Sequence, residues 1–184
     1  ISPMVLPGDY TLKLTVGDTV YKSTVKVIHD VSNKDFTLDD RKLQHKTAMD
    51  LYKMHEQLAA VVEIINEKQK LISNNLTKVK DSALKKLMVA YNAELEKLRS
   101  ESLATKQKSI FADEKKLREE ITEVYAAVSG QEAAPSNLQI QRAVVLQGEV
   151  KKKEQANKQI LDKYDKIVMD GLRKEGLSGE KKGF

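Results

Sequence analysis

The side chains with the widest chemical repertoire in this chain are three histidines, His29, His45 and His55. A zinc-binding helix presents two ligands at i, i+4 on one face, and no two of the three have that spacing. Cysteine is absent, so the chain has no thiolate ligand and no disulfide. Nucleophilic catalysis by a Ser–His–Asp set would be signalled by a nucleophile elbow or a Gly-rich strand-to-helix turn, and neither is present. The eight glycines are scattered at turns and ends, so no phosphate loop is formed. Glycosidase chemistry needs two carboxylates across a cleft. The acidic residues here fall on solvated helix faces or in loops. No residue is therefore assigned a catalytic, cofactor-binding or metal role. His55 lies on an apolar seam and is expected to be packed and hydrogen-bonded. Met49, Met54, Met88 and Met169 are spread out and read as core filler. Asn75-Leu76-Thr77 matches an N-glycosylation acceptor, which matters in a eukaryotic secretory host.

The elements that would position these residues are mostly helical. The chain is organised around helix one, Thr37 to Ile72. Leu51, Leu58, Ile65 and Ile72 fall seven apart, with His55, Val62 and Gln69 as the companion positions, a seam for other helices to cover. Thr37 is the expected N-cap, with Asp39 and Asp40 near the positive helix end. Helix two is expected over Ser82–Ser100, with Leu84, Leu87, Met88, Tyr91, Leu95 and Leu98 on one face. Tyr91 should be buried with its hydroxyl bonded. Residues 102–112 lack a period and read as a connector. Helix three spans Asp113 to Ser129, with Leu117, Ile121, Val124, Tyr125 and Val128 as its stripe and Gly130 as a left-handed cap. Ser136 and Gln139 form a capping-box pattern at the start of helix four, Asn137 to Glu175. Its apolar blocks are Leu138, Val145, Leu146 and Val150, then Ile160, Leu161, Tyr164, Ile167, Val168 and Leu172. Gly176 ends it, with Leu177 supplying the accompanying contact.

Ahead of the helices, residues 8–28 alternate as a β-hairpin. Tyr10, Leu12, Leu14 and Val16 face one way, and Tyr21, Ser23, Val25 and Val27 follow after the Gly17-Asp18-Thr19 turn. An isolated hairpin is marginal in water, so it should dock on the helices or belong to a larger sandwich. The domain reading is a hairpin over 1–30, a linker over 31–36, a helical bundle over 37–177 and a loose tail over 178–184. At about 1.5 Å per residue the long helices reach roughly 55 Å. The expected fold class is mainly α: an up-down four-helix bundle with two long and two short helices, preceded by a β-hairpin. Alternating directions would put the start of helix one and the end of helix four together. The hairpin's Leu12, Leu14, Val25 and Val27 would then be covered there, beside Leu172 and the 102–112 connector.

The formal charge is +5, and residues 1–36 are neutral, so the excess lies in the helical part. Its Lys and Glu are interleaved and aromatics are 5% of the chain. Nucleic-acid binding would want a one-sided basic face with stacking aromatics, so this pattern reads as a solvated helix surface. No apolar run is long enough to span a membrane.

Several of these segments together resemble a known region. Pro7-Gly8-Asp9-Tyr10-Thr11-Leu12-Lys13-Leu14-Thr15-Val16, with Tyr21 and Val25-Lys26-Val27, resembles the closing strands of an immunoglobulin-like module. In bacterial sortilin-like proteins with BNR-repeat β-propellers, such strands follow the propeller and lead into a helical C-terminal region. The run Lys116-Leu117 to Val128, then Ala134-Pro135-Ser136 and Gln139, is similar to a helix–loop–Pro–helix segment there. Leu172-Arg173-Lys174-Glu175-Gly176-Leu177 is similar to its ending. At the junction this chain has Asp30-Val31 where that family often has Asp-Pro.

The resemblance implies a non-catalytic C-terminal accessory domain of a larger, exported propeller protein, whose partner is the parent propeller or another protein. It implies an extracytoplasmic address, in the periplasm, at the cell surface or secreted. Such parents are often labelled glycosyl hydrolases, so one alternative is part of a hydrolase whose catalytic site lies in the propeller. Another is a homo-oligomerising coiled coil. No cofactor is expected.

Overall fold

The computed structural model describes residues 3–104 and 115–177. Two strands come first, β1 (Gly8–Val16) and β2 (Thr19–Val27), then four helices: α1 (Leu38–Asn75), α2 (Ser82–Ser102), α3 (Leu117–Ser129) and α4 (Asn137–Lys174). The fold is a mainly α four-helix bundle preceded by a two-stranded antiparallel β-hairpin, with two long and two short helices as expected. The expected start of helix three at Asp113, residues 105–112 of the connector and the 178–184 tail lie outside the described residues.

Local chemistry sets the element boundaries. The hairpin turns on Gly17 and Asp18, with Val16 opposite Thr19 and Gly17 at φ +56°, a conformation that suits a residue without Cβ. At the start of α1 the Thr37 hydroxyl accepts from the Asp40 N–H at 3.2 Å, and the Asp40 carboxylate accepts from the Thr37 N–H at 3.0 Å. This is a reciprocal cap with Asp in the place usually held by Glu. The Thr37 hydroxyl, which also donates to that carboxylate at 2.7 Å, and then the Thr37 N–H hold the Asp40 carboxyl below its ordinary range. Helix α1 continues to Asn75, past the Ile72 end read from sequence, and Asp81 then caps α2 by accepting from the Ala83 N–H at 2.8 Å.

The capping box of α4 forms as expected, with Ser136 N–H donating to Gln139 Oε1 at 2.8 Å and Gln139 N–H to Ser136 Oγ at 3.2 Å. Its end is also as expected: Gly176 sits at φ +70° and the Leu177 N–H bonds back to Leu172 O at 2.8 Å. Gly130 differs, because its φ is not positive. Its N–H continues the helical pattern to Ala126 O at 2.9 Å, so the chain leaves α3 without a left-handed reversal.

The chain divides into two compact units, and the divisions fall inside α1, α3 and α4. In the first, Ile1–Tyr52 with Glu123–Ala143, Gln44 is buried between elements. Its side-chain amide donates to Val128 O at 2.9 Å and to Gln131 O, and its oxygen accepts from Arg41 at 3.0 Å. The Arg41 guanidinium also lies 4.6 Å over the buried Phe36 ring.

The second unit, Lys53–Thr122 with Val144–Phe184, holds the larger core. Val61, Ile65 and Ile72 of α1 meet Leu84, Met88, Tyr91, Leu95 and Leu98 of α2 and Tyr164, Val168 and Leu172 of α4. Within this unit Gln57 pairs with Glu154, and Lys68 pairs with Asp165 further along both helices, so α1 and α4 run parallel here. Helix α2 is antiparallel to both, with Arg99 on Asn66, Gln69 on Glu96, and Lys153 and Lys163 on Glu101 and Glu94. Strict alternation of direction along the chain therefore does not hold.

The docking expected for the hairpin is corrected by the same contacts. Leu172 packs with Ile72, Val79 and Leu84, near the end of α1 and not near its start. Leu12, Leu14 and Val25 are 56%, 61% and 40% exposed, so their shared face is uncovered.

The seam of α1 is buried at Leu51, Leu58, Ile65 and Ile72, as the seven-residue spacing predicts. Its companion line differs. Met54, Val61 and Asn75 are buried and Lys68 is half-buried, whereas His55, Val62 and Gln69 are all only half-buried. A seven-residue repeat is compatible with a companion at i+3 or i+4, and packing selects i+3 here. On α4, Ala143, Leu146 and Val150 are buried while Leu138 and Val145 are 76% and 48% exposed. Ile167 is likewise exposed beside buried Val168.

Candidate interaction surface

The three histidines are dispersed. His29 Nε2 donates to Phe36 O at 3.0 Å and His45 Nδ1 to Met4 O at 2.8 Å, so each holds backbone in place. His55 is half-buried, and burial followed by the nearby Arg118 charge pushes its pKa below 6.5. Among the described residues no group of three or more His, Asp or Glu is placed to hold a metal ion. His55 borders a cleft of about 390 Å³ lined also by Leu58, Val62, Glu63, Asn66, Leu103 and Arg118. A wider open groove, about 730 Å³, runs between α2 and α4 past Asp81, Lys166, Asp170 and Lys174.

The densest polar constellation is a clasp in the second unit. Tyr91 and Tyr164 stack with ring centroids 5.1 Å apart and planes 11° from parallel. Tyr91 Oη donates to Asp165 at 3.3 Å, and Lys68 Nζ lies 2.8 Å from the same carboxylate. Tyr164 Oη and Lys163 Nζ both donate to Glu94 Oε1, at 2.6 and 2.7 Å. Burial, then the Asp165 charge, raises the Tyr91 phenol well above its ordinary pKa. The Lys163 and Tyr164 bonds lower the Glu94 carboxyl. Both phenols and both carboxylates are hydrogen-bonded within the clasp. Sequence reading found the burial of Tyr91 but missed this clasp, because Asp165 and Glu94 read as solvated charges on their own helices.

Asn75, the glycosylation acceptor of the sequence pattern, is buried. Its side-chain amide donates to Leu71 O at 2.9 Å, so the nitrogen a glycan would occupy is engaged inside the fold.

The hairpin leaves a whole apolar face without a cover. Its register sets Tyr10 opposite Val25, Leu12 opposite Ser23 and Leu14 opposite Tyr21. Residues directly opposite share a face, so these with Val16 and Val27 make one apolar face. Leu12, Leu14, Val16 and Tyr21 on it are each more than half exposed. The other face carries Asp9, Thr11, Lys13, Thr15, Val20, Lys22, Thr24 and Lys26. Among the described residues the sheet has two strands only, so both outer edges present unpaired backbone groups. An apolar face between two bare edges is a surface that other β-structure can complete.

No family model matches this chain, and no curated protein or solved structure matches it either. The resemblance to propeller proteins accordingly rests on the residues quoted above. No helix among the described residues is long and apolar enough to cross a membrane.

Proposed function

We propose that this chain is a non-catalytic accessory and interaction module, the C-terminal part of a larger exported BNR-repeat, sortilin-like propeller protein. The observation that carries the interaction role is the hairpin face: the helices bury their own core, yet an apolar sheet surface stays bare. Bare apolar patches on an otherwise polar surface mark contact sites. The resemblance of Gly8–Val27 to the closing strands of an immunoglobulin-like module supplies the parent: its remaining β-structure covers that face. The helices then anchor the hairpin beside the propeller.

The test has two arms on the full chain. Aryl-glycoside and sialoside substrates should show no turnover above buffer; turnover abolished by changing one carboxylate of this chain would replace the reading with a hydrolase. Leu12→Asp with Leu14→Asp should leave bundle stability within about 0.5 kcal/mol, as exposed sites do. A loss above about 2 kcal/mol would mean that this face is packed in the folded chain.

A further inference from the structure

We infer that the outer edge of β1 pairs with the same edge of a second copy of this chain, antiparallel, about a twofold axis through Thr11. The two-residue turn makes Val16 and Thr19 a hydrogen-bonded pair, so bonded pairs recur at every second position. Gly8, Tyr10, Leu12, Leu14 and Val16 therefore turn their N–H and C=O toward β2. Asp9, Thr11, Lys13 and Thr15 turn theirs outward, and all four are exposed. A second β1 can meet those outward groups only in registers that set them opposite one another.

Charge selects one register. An axis at Thr11 sets Asp9 opposite Lys13 of the second copy, twice, and Thr11 opposite its own counterpart. Opposite charges directly across a sheet are favourable. An axis at Leu12 sets Asp9 against Thr15 and brings no ion pair, and an axis at Lys13 sets lysine against lysine. The edge of β2 lacks this complementarity: axes at Lys22 or Thr24 set Lys22 against itself or against Lys26. Lysines on an edge strand discourage pairing, so β2 is the guarded edge and β1 the open one. The product is a sheet of order β2-β1-β1-β2, with Tyr10 of each copy beside Leu12 of the other. A four-stranded sheet holds together where a lone hairpin is marginal, and an isologous contact of this kind closes at two copies. The apolar face stays available to a second sheet of the parent packed over it; the inference concerns the β1 edge of this chain and is argued without the accessory role.

Sedimentation equilibrium of the full chain, from micromolar to several hundred micromolar, tests it. The expected result is a monomer–dimer equilibrium. Asp9→Lys or Lys13→Asp alone should weaken it about tenfold, and the double variant Asp9→Lys with Lys13→Asp should restore it. Thr11→Pro removes an outward N–H and no bond of the hairpin itself, so it should abolish the dimer. Hydrogen exchange should show the Asp9, Thr11 and Lys13 amides slowed in the dimer and the Val20, Lys22, Thr24 and Lys26 amides unchanged. Should Thr11→Pro disturb the hairpin, seen as lost protection at Tyr10 and Leu12, the charge-swap pair decides. A monomer throughout, species larger than a dimer, a dimer indifferent to Thr11→Pro, or a double variant that fails to recover would each overturn it. Failure here would leave the accessory reading to its own two arms.

Discussion

The second unit and the hairpin use similar amounts of apolar patterning to opposite ends. In the second unit the facing stripes meet: Leu84, Met88, Tyr91, Leu95 and Leu98 on α2 are buried against α1 and α4. In the hairpin the alternation is just as regular, yet Leu12, Leu14, Val16 and Tyr21 remain exposed. The contrast teaches that a periodic pattern specifies a face, not its cover. A helical stripe can be covered by neighbouring helices of the same chain. A two-stranded sheet also leaves backbone donors and acceptors along both edges, which helix side chains do not satisfy.

The comparison breaks most readily at its centre. Tyr91→Ala should destabilise the chain by about 3–5 kcal/mol in chemical denaturation, since it removes a fully buried ring stacked on Tyr164. An unchanged midpoint would make the helical core as open as the hairpin. Asp165→Ala leaves Lys68 and the Tyr91 hydroxyl without their shared acceptor and should cost about 1–3 kcal/mol. Combining it with Tyr91→Phe should cost less than the sum of the two singles, because the orphaned hydroxyl is gone.

Two pH effects sharpen the same contrast. The Tyr91 phenol is raised in the folded state, so its stabilising effect is present below the unfolded pKa of 10 and is lost as pH rises above it. Tyr91→Phe should flatten that alkaline decline in thermal melts. His55 is depressed in the folded state, so its effect is present above pH 6.5 and is lost as pH falls through the lower folded value. His55→Gln should flatten the decline between pH 7 and 5, and an unaltered slope would show that burial does not set this group. The smallest effect belongs to the hairpin: Leu14→Ser should shift bundle stability by less than about 0.5 kcal/mol.

Much of the fold was legible in the chain itself. The hairpin, the Thr37 and Ser136 starts, the Gly176 ending, the Leu51–Ile72 line and the burial of Tyr91 all follow from local spacing, because caps, turns and stripes are decided within a few residues. Tertiary structure alone decided the rest. The choice of Met54 and Val61 over His55 and Val62, the exposure of Leu138, Val145 and Ile167, and the parallel run of α1 and α4 depend on which neighbours arrive. The clasp of Tyr91 and Tyr164 with Asp165, Lys68 and Glu94 was invisible for the same reason. Its members lie on three helices far apart in sequence, and a charged residue reads as solvated until a partner from another helix is set against it. Local sequence fixes what each element can present; only packing fixes what it is presented to.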